Sequence, residues 1–299
     1  MTLRAAGKRV VERILRQALA DPNRMQGRVL ILAYHNVVPD QFKDLGDRSL
    51  HLPLSAFQAQ LDLLQTHFEI CALSDLLSPG NVNGGPRIGL TFDDAYRGAV
   101  ELALPELKRR GLSGTLFVAP GLLGSDRFWW DELASPGTGL SAELREAALE
   151  RHAGRRDPIL AALGQQRSVA LPEYYSCVRE EELLARADGK WLTLGSHTWS
   201  HPNLSRLAEP ELTDELSRPL TWLGNLPVHS VPVLAYPYGL TSATVEAAAA
   251  RAGYRAALRV EGGWVNRENA SAWAMPRYNV PAGLSADGFM LRLSGWLTT

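Results

Sequence analysis

The stretch from Ile88 to Ala119 restricts the possible folds more than any other part of the chain. Residues 88–92 form an apolar, β-prone run that predicts a buried strand, and residues 114–119 form a second one. Between them, residues 95–110 carry apolar side chains at helical spacing, and Gly111 ends the helix. A strand, a helix and a strand with short links form a βαβ unit, so the strands are parallel and the connection is right-handed.

The same alternation of strand and helix patterns continues along the chain. Further strands are predicted at residues 28–33, 191–195, 231–236, 255–260 and 274–279, and helices at residues 55–66, 73–77, 209–223 and 241–252. About seven parallel strands alternating with helices predict an α/β fold, a distorted and incomplete (β/α) barrel.

Residues 121–190 interrupt this alternation. They contain helical patterns near residues 141–152, 157–167 and 179–187, and the strand pattern resumes at residue 191. We therefore interpret them as a helical insertion over the strand ends, within one domain that spans residues 28–299.

Residues 1–27 are predicted to form an amphipathic helix in front of that domain. One face is apolar, and the other carries five basic side chains: Arg4, Lys8, Arg9, Arg13 and Arg16. Such a helix either lies on an anionic membrane surface or docks on its own domain, and the sequence leaves both interpretations open.

The composition is that of a soluble globular protein that buries a core. Apolar residues make up 45% of the 299 residues, charged residues make up 21%, and the net charge is −1. No general attraction to nucleic acid is therefore indicated. Cys71 and Cys177 lie far apart without a CxxC motif, and we predict two buried thiols.

The sequence contains no membrane-spanning or secretory signal pattern. No apolar run approaches the roughly 18 residues of a membrane span, and the N-terminus lacks the apolar core of a signal peptide. We therefore expect a cytoplasmic protein. A mature protein whose signal had been removed would have a similar sequence, although the initiating Met argues against this.

Two adjacent carboxylates, Asp93 and Asp94, follow the buried strand at residues 88–92. The carboxyl ends of parallel strands are where α/β folds keep their chemistry. Because adjacent side chains in a turn diverge, one carboxylate could bind a metal while the other handles a proton. A helix N-cap with an acidic neighbour would show the same pattern.

His197 and His201 follow a predicted strand of their own. Two histidines four residues apart usually share a helix face, but the preceding strand and Pro202 favour a turn. Two histidines and one carboxylate, with an open position, are a ligand set for a catalytic divalent cation. Asp94 would complete this set, whereas the histidine pair alone is equally compatible with a structural role.

Four motifs resemble those of a known family. Thr91-Phe-Asp-Asp94, His197-Thr-x-x-His201 and Tyr236-Pro-Tyr-Gly239 resemble the first three motifs of the polysaccharide deacetylases, the NodB-homology or family 4 carbohydrate esterases. Tyr34-His35-Asn-Val resembles the opening of a subgroup that includes the biofilm poly-N-acetylglucosamine deacetylases. The resemblance covers about residues 28–280, and the family fold is a distorted (β/α) barrel.

The resemblance implies a role for each matched residue. Asp94, His197 and His201 would bind a divalent metal, most often zinc, and Asp93 would be the general base. The backbone N–H of Tyr238 would stabilise the developing oxyanion. The implied substrate is an N-acetylated amino sugar.

The chain departs from the family pattern at the general acid, which the leaving amine requires. The usual late Leu-x-x-His motif is absent. His35 is the better candidate, because it follows the first strand on the same barrel face as the Asp pair. A buried core histidine is the alternative interpretation of His35.

Two further departures concern the support of the Asp pair. Leu234 occupies the position of an arginine that usually orients the base, and Arg277 is a candidate substitute. A surface salt bridge is the alternative role for Arg277. Ala95 replaces the usual glycine after the Asp pair, which is a mild change if its φ is negative.

The remaining predicted site residues concern substrate binding: Trp129, Trp130, Asp131, Tyr236 and Pro237. The two tryptophans either stack on a sugar ring or pack beneath the insertion, and Asp131 is expected to bind a sugar hydroxyl. His51, His67 and His152 are expected to be solvated.

These observations together predict a metal-dependent N-deacetylase of bacterial surface-polysaccharide assembly. Without a secretion signal, a lipid- or nucleotide-linked precursor at the inner membrane face is the expected substrate, beside the polysaccharide itself. Deformylation or deacylation of a lipid-linked sugar is a close alternative. A catalytically silent carbohydrate-binding protein is a further one, which the missing arginine and the displaced general acid leave open.

Overall fold

A curled sheet of mostly parallel strands forms the centre of the protein. The computed structural model describes residues 27–78, 85–135, 137–163, 170–266 and 270–293. The strands are β1 (Arg28–Tyr34), β2 (Asn36–Val38), β3 (His51–Pro53), β4 (Glu69–Cys71), β5 (Arg87–Phe92), β6 (Gly114–Val118), β7 (Leu192–Ser196), β8 (Ser230–Ala235), β9 (Ala256–Leu258), β10 (Val265–Asn266) and β11 (Tyr278–Asn279). Seven of them pair in the order β10-β1-β5-β6-β7-β8-β9, while β11 adds to β1 and β4 to β5.

Strand β5 carries the predicted run at residues 88–92, and the whole run is buried. A strand that is covered on both faces needs such a continuous apolar sequence. β5 pairs in parallel with β1, so that Tyr34 lies opposite Phe92. The residues that follow these two strands, His35 and Asp93, are therefore also neighbours.

A short segment spans the gap between the edge strand β9 and the first long strand, β1. Met275 forms a parallel bridge with Leu258 of β9, and Tyr278 of β11 pairs in parallel with Leu32 of β1. The strand predicted over residues 274–279 is thus divided into one bridge and one two-residue strand. Arg277 lies between these two points.

Helices pack around the sheet, as the alternation predicts. They are α1 (Leu54–His67), α2 (Leu73–Leu77), α3 (Leu104–Arg110), α4 (Trp129–Glu132), α5 (Ala142–Arg151), α6 (Arg156–Leu163), α7 (Glu180–Leu184), α8 (Glu209–Asn225), α9 (Ala243–Ala252) and α10 (Ala286–Leu293). The predicted distorted (β/α) barrel is confirmed.

The helix that follows the Asp pair differs from the prediction over residues 95–110. A π-helical segment, Ala99–Ala103, precedes α3. Pro105 stands near the start of α3 and has no N–H, which removes one α-helical hydrogen bond and permits this wider turn. The helix also begins later than predicted, because Asp94 and Ala95 have positive φ angles of 70° and 52°.

The segment between β6 and β7 contains the helices α4 to α7. Its aromatic residues Phe128, Trp129 and Trp130 belong to the same buried cluster as Leu32 of β1 and Leu90 of β5. The aromatic residues of the segment therefore pack on the main core of the protein.

Three further predictions concern the rest of the chain. Cys71 and Cys177 are free thiols, but only Cys177 is buried, because Cys71 ends the short outer strand β4. Within the described ranges, no helix is both long and apolar enough to cross a membrane. The predicted N-terminal helix lies outside the described residues.

Candidate active site

The predicted chemical groups meet at the carboxyl ends of the strands. His35 follows β1, Asp93 and Asp94 follow β5, His197 follows β7, and Tyr238 lies shortly after β8. All five line one pocket of about 480 Å³. Further lining residues include Asp47, Ser49, Trp130, Arg145, His201 and Asn279.

Asp94, His197 and His201 form a compact group that could bind a metal ion. Asp94 Oδ1 lies 3.2 Å from His201 Nε2 and 3.5 Å from His197 Nε2, and the two Nε2 atoms are 3.1 Å apart. The two histidines occupy a turn, as predicted, and no helix joins them.

The hydrogen bonds of this group fit a divalent cation. His197 Nδ1 donates a hydrogen bond of 2.7 Å to the Ala235 carbonyl, which leaves the lone pair of Nε2 for a ligand. Asp94 Oδ1 is buried and has no hydrogen-bond partner in the described residues. A buried acceptor without a partner is costly, and a cation at this position would satisfy it.

The pKa values of these residues also favour the binding of a cation. Burial, followed by the charges of Asp93 and Asp131, raises the pKa of Asp94 well above its usual range. Burial, followed by the charge of His197, lowers the pKa of His201 well below its usual range. Burial also lowers the pKa of His197. Both histidines are thus held in the neutral form that binds metals, and the charge of Arg277 offsets only part of the rise in the pKa of Asp94.

Asp93 has a different environment from that of its neighbour. Arg277 donates two hydrogen bonds of 2.7 Å to its two carboxylate oxygens, and a third of 3.1 Å to Thr91 Oγ1. Burial alone would raise the pKa of Asp93, but Arg277 and the nearby histidines lower it below its ordinary value. Asp93 therefore remains a carboxylate at neutral pH. The alternative of a surface salt bridge is wrong, because Arg277 is fully buried.

Comparison with known proteins agrees with this site. Residues 80–257 match the sequence profile of the family described as polysaccharide deacetylase. The chain belongs to the polysaccharide deacetylase family. No curated protein sequence matches it.

Several solved structures share the fold of this family member. The Streptococcus pyogenes deacetylase PplD in complex with acetate is 17% identical, with a TM-score of 0.62, over 89% of this chain and 98% of that chain. IcaB from Ammonifex degensii is 18% identical, with a TM-score of 0.61, over 90% and 96%. A de-N-acetylase from Aggregatibacter actinomycetemcomitans is 13% identical, with a TM-score of 0.58, over 86% and 97%.

His35 lies on the pocket wall and not in the core. Its Nε2 is 4.0 Å from Asp93 Oδ2, and its side chain is 13% exposed. Burial is the main cause that lowers the pKa of His35 to about 4, with Arg277 and His197 adding to it and Asp93 opposing it. The imidazole is therefore neutral at neutral pH, and it can donate a proton only after it has gained one.

Backbone strain is concentrated at this site. Asp94, Ala95, Thr198, His201 and Tyr238 all have φ angles between 52° and 70°, in the left-handed region. Ala95 therefore does not meet the condition of a negative φ, and its replacement of the usual glycine is not mild. A left-handed non-glycine residue costs about 1–2 kcal/mol.

Tyr238 is fixed by several contacts behind the pocket wall. Its hydroxyl accepts a hydrogen bond of 3.2 Å from Trp129 Nε1, and its ring packs at 4.6 Å against that of His201. Gly154 lies against the ring, since a Cβ on Gly154 would come within 2.7 Å of the hydroxyl.

Of the predicted substrate-binding residues, the structure brings only Trp130 to the pocket wall. Trp129 is fully buried behind it, so packing beneath the insertion is the correct alternative for Trp129. Tyr236 and Pro237 are also buried, and the Tyr236 hydroxyl donates to the Trp273 carbonyl. These three residues support the wall and do not face a substrate.

The predictions for Asp131 and His51 are wrong. Asp131 is buried and accepts hydrogen bonds of 2.7 Å from the Asp47 N–H, His51 Nε2 and the Tyr96 hydroxyl. It therefore has no oxygen directed at a sugar hydroxyl. His51 is fully buried by the same contacts and is not solvated. His67 is exposed, as expected, and His152 is half-buried.

Sequence reasoning did not identify five polar residues on the pocket wall: Asp47, Ser49, Thr138, Arg145 and Asn279. Asp47 and Ser49 lie in a polar loop, and Arg145 lies on α5 among other charged residues. No local pattern distinguishes them from solvated side chains. Only the folded arrangement of loop and insertion brings them to the pocket.

Proposed function

We propose that this protein is a metal-dependent hydrolase that removes the N-acetyl group from an amino sugar. The observation that carries the proposal is that the Asp94–His197–His201 group and Asp93 line one pocket, with Arg277 bound to Asp93 behind the wall. Membership of the polysaccharide deacetylase family supports the reaction class. The name of the de-N-acetylase with a similar fold supports the N-acetyl group.

Asp94, His197 and His201 would hold the cation, and two histidines with one carboxylate suit Zn²⁺. When bound, the cation would polarise the acetyl carbonyl and acidify a water molecule. A cation there would satisfy Asp94 Oδ1, which is buried without a hydrogen-bond partner in the described residues.

Asp93 would act as the general base. It accepts the proton of the attacking water as the new carbon–oxygen bond forms. Arg277 keeps this carboxylate ionised and fixes its orientation through two hydrogen bonds. The charge that develops on the carbonyl oxygen would be stabilised by the backbone N–H of Tyr238.

His35 would serve the leaving group. Because its pKa is lowered to about 4, it begins the cycle neutral and needs a proton from the first step. Its Nε2 is 4.0 Å from Asp93 Oδ2, so one water or substrate atom can bridge the two. The carbon–nitrogen bond then breaks, the nitrogen takes the proton from His35, and a free amine leaves together with acetic acid, which ionises to acetate.

One of the two arguments for a catalytically silent carbohydrate-binding protein no longer holds. That alternative rested partly on the missing arginine of the third motif, and Arg277 makes the contact with Asp93 that such an arginine would make. We also propose that the substrate is either a polysaccharide or its lipid- or nucleotide-linked precursor. The proposed location is the cytoplasm, at the inner membrane face.

The test measures acetate and free amine released from N-acetylglucosamine oligomers by the purified protein. We expect release in equal amounts, loss of activity after chelation, and recovery with Zn²⁺. Parallel assays with lipid-linked and nucleotide-linked sugars identify the precursor. A metal-loaded protein that releases no acetate from any of these classes contradicts the proposal.

A further inference from the structure

An ion pair between Arg145 and Asp47 lies on the wall of the active-site pocket. Arg145 comes from α5, in the segment between β6 and β7, and Asp47 comes from the loop between β2 and β3. Neither the metal group nor the proposed acid and base uses this pair. It is one of several contacts between the insertion and this loop, beside the hydrogen bond from the Asp47 N–H to Asp131.

Asp47 is held firmly by groups other than the arginine. Its side chain is 4% exposed, and Oδ1 accepts hydrogen bonds of 2.9 Å and 3.3 Å from the hydroxyl and backbone N–H of Ser49. Its own N–H donates to Asp131 at 2.7 Å. Asp47 thus provides a rigid anchor for Arg145.

Arg145 is fixed at one end but retains free donors. In the described part of the chain, the Asp47 carboxylate is the only hydrogen-bond or ion-pair partner of its guanidinium. A guanidinium carries five N–H donors in a rigid plane. Since the side chain is 33% exposed and lines the pocket, these donors can reach a ligand.

The ion pair lies close to the proposed reacting groups. Burial is the main influence on the pKa of both His35 and Tyr238, but Asp47 also acts on the first and Arg145 on the second. Arg145 and Asp47 also line the same pocket as Asp94, so a ligand bound to Arg145 would lie in the pocket that holds the Asp94 group.

The charge balance of the wall indicates the class of that ligand. Arg145 is the only cationic side chain among the described residues that line the pocket, and Asp47 neutralises it. Arg277, behind the wall, is neutralised by Asp93. Apart from the cation proposed at Asp94, an anionic sugar would find no uncompensated positive group here, whereas a neutral hydroxyl can accept a hydrogen bond from the paired guanidinium.

From these contacts we propose that Arg145, anchored by Asp47, is the specificity-determining residue and binds a ring hydroxyl of an uncharged amino sugar. This inference rests on the proposed function, which places the acetyl group at the Asp94 end of the pocket. Hydrogen bonds remote from the reacting bond orient the substrate, and a site built to bond a hydroxyl rejects sugars without it.

The test is the affinity of the metal-depleted protein for an N-acetylglucosamine oligomer, measured by calorimetric titration. Arg145→Ala is expected to weaken binding by about tenfold or more, because a hydrogen bond to a charged donor is lost. Arg145→Lys keeps a cation for Asp47 and should retain part of the affinity. Arg156→Ala is the matched control, since Arg156 is another half-exposed arginine of the segment that pairs with Glu132 away from this pocket.

Three results would overturn the inference: no binding by the unmodified protein, unchanged affinity in Arg145→Ala, or an equal loss in Arg156→Ala. An unchanged melting temperature in Arg145→Ala shows that a loss of affinity is not unfolding. If Arg145→Ala unfolds, the Arg145→Lys variant tests the inference instead. Equal affinity of Arg145→Lys and the unmodified protein would exclude a role for the planar guanidinium.

A second titration tests the charge of the ligand. The unmodified protein should bind the neutral oligomer more tightly than an oligomer whose amino sugars carry a carboxylate, and the reverse order would overturn the inference. Because binding is measured without turnover, failure of the proposed function is separately visible: the oligomer would bind through Arg145, yet the metal-loaded protein would release no acetate.

Discussion

Asp93 and Asp94 are adjacent in sequence but differ in electrostatic environment. Arg277 and the nearby histidines overcome the effect of burial on Asp93 and lower its pKa, whereas burial and Asp93 itself raise the pKa of Asp94. Two carboxylates whose environments separate them in this way can take different roles. In the proposed function, Asp93 is the proton acceptor and Asp94 is the cation ligand.

The Asp93→Asn variant tests this division. It is expected to lose about 10³-fold in turnover, because the amide cannot accept the proton of water, while it still binds one equivalent of metal. The variant Asp94→Asn is the matched control and should lose the metal as well. Elemental analysis together with acetate release checks both, and an Asp93→Asn protein without metal would show that the two roles are exchanged.

Replacement of Arg277 should change the pH dependence of the reaction. In the unmodified protein the pKa of Asp93 lies below its ordinary value, so this group remains ionised down to low pH. In Arg277→Met the cation is gone and burial raises the pKa, so the acidic limb of kcat/KM should move to higher pH. An acidic limb that stays in place would contradict the assignment of Asp93 as the base.

The same variant should also be less stable. A buried carboxylate without its partner costs about 3–5 kcal/mol, whereas an exposed ion pair contributes about 0–1 kcal/mol. Arg251→Met is the control, because Arg251 and Glu209 are both 60% exposed. Urea unfolding of the two variants measures the difference, and equal losses would argue against a buried pair.

The pairing of Arg277 with Asp93 illustrates a limit of sequence reasoning. The two residues are 184 positions apart, and their contact depends on the short segment that spans β9 and β1. The sequence predicts a strand there but not its register. The apolar motifs at residues 88–92 and 191–195, in contrast, place the Asp pair and the histidines near the strand ends where the structure has them, because a buried strand fixes the residues that follow it.

At the scale of elements, α5 and the turn after it shape the pocket. Gly154 has a φ of 70°, and a Cβ there would come within 2.7 Å of the Tyr238 hydroxyl. Gly154→Ala is therefore expected to displace Tyr238 and reduce acetate release by about tenfold or more. Gly111→Ala is the matched control, with a φ of 71° and nothing within 4 Å of the added atom.

The two glycine variants separate backbone strain from the contact with Tyr238. Both should lose about 1–2 kcal/mol of stability through the left-handed backbone. Only Gly154→Ala should lose activity at a temperature where both are folded. Equal activity of the two variants would show that the position of Tyr238 does not matter for turnover.

Most elements of this protein follow from its periodicity, and the exceptions have physical causes. The large strands and helices are predicted because each buries a run of apolar residues. The π-helical segment before α3 is missed because it depends on Pro105 and on the strained turn at the Asp pair. Trp129 and Asp131 are misassigned because the chain direction around α4 decides which side chain faces the pocket, and periodicity over four residues cannot show it.

At the scale of the whole molecule, metal binding should couple to folding. The ligands come from β5 and β7 and their following turns, so the cation joins distant parts of the barrel. Binding at 100 times the dissociation constant stabilises a folded protein by about 2.7 kcal/mol, which corresponds to a rise in melting temperature of about 5 °C. Differential scanning calorimetry with and without Zn²⁺ measures this rise. The same rise in Asp94→Asn would place the cation elsewhere.

The central claim is that one cation, held by Asp94, His197 and His201, makes this pocket a deacetylase site. Its most direct test is a titration of the metal-depleted protein with Zn²⁺ while acetate release from an N-acetylglucosamine oligomer is recorded. Activity should rise in proportion to added metal and level off at one equivalent per chain. Full activity before metal is added, or no acetate at saturating metal, would contradict the claim.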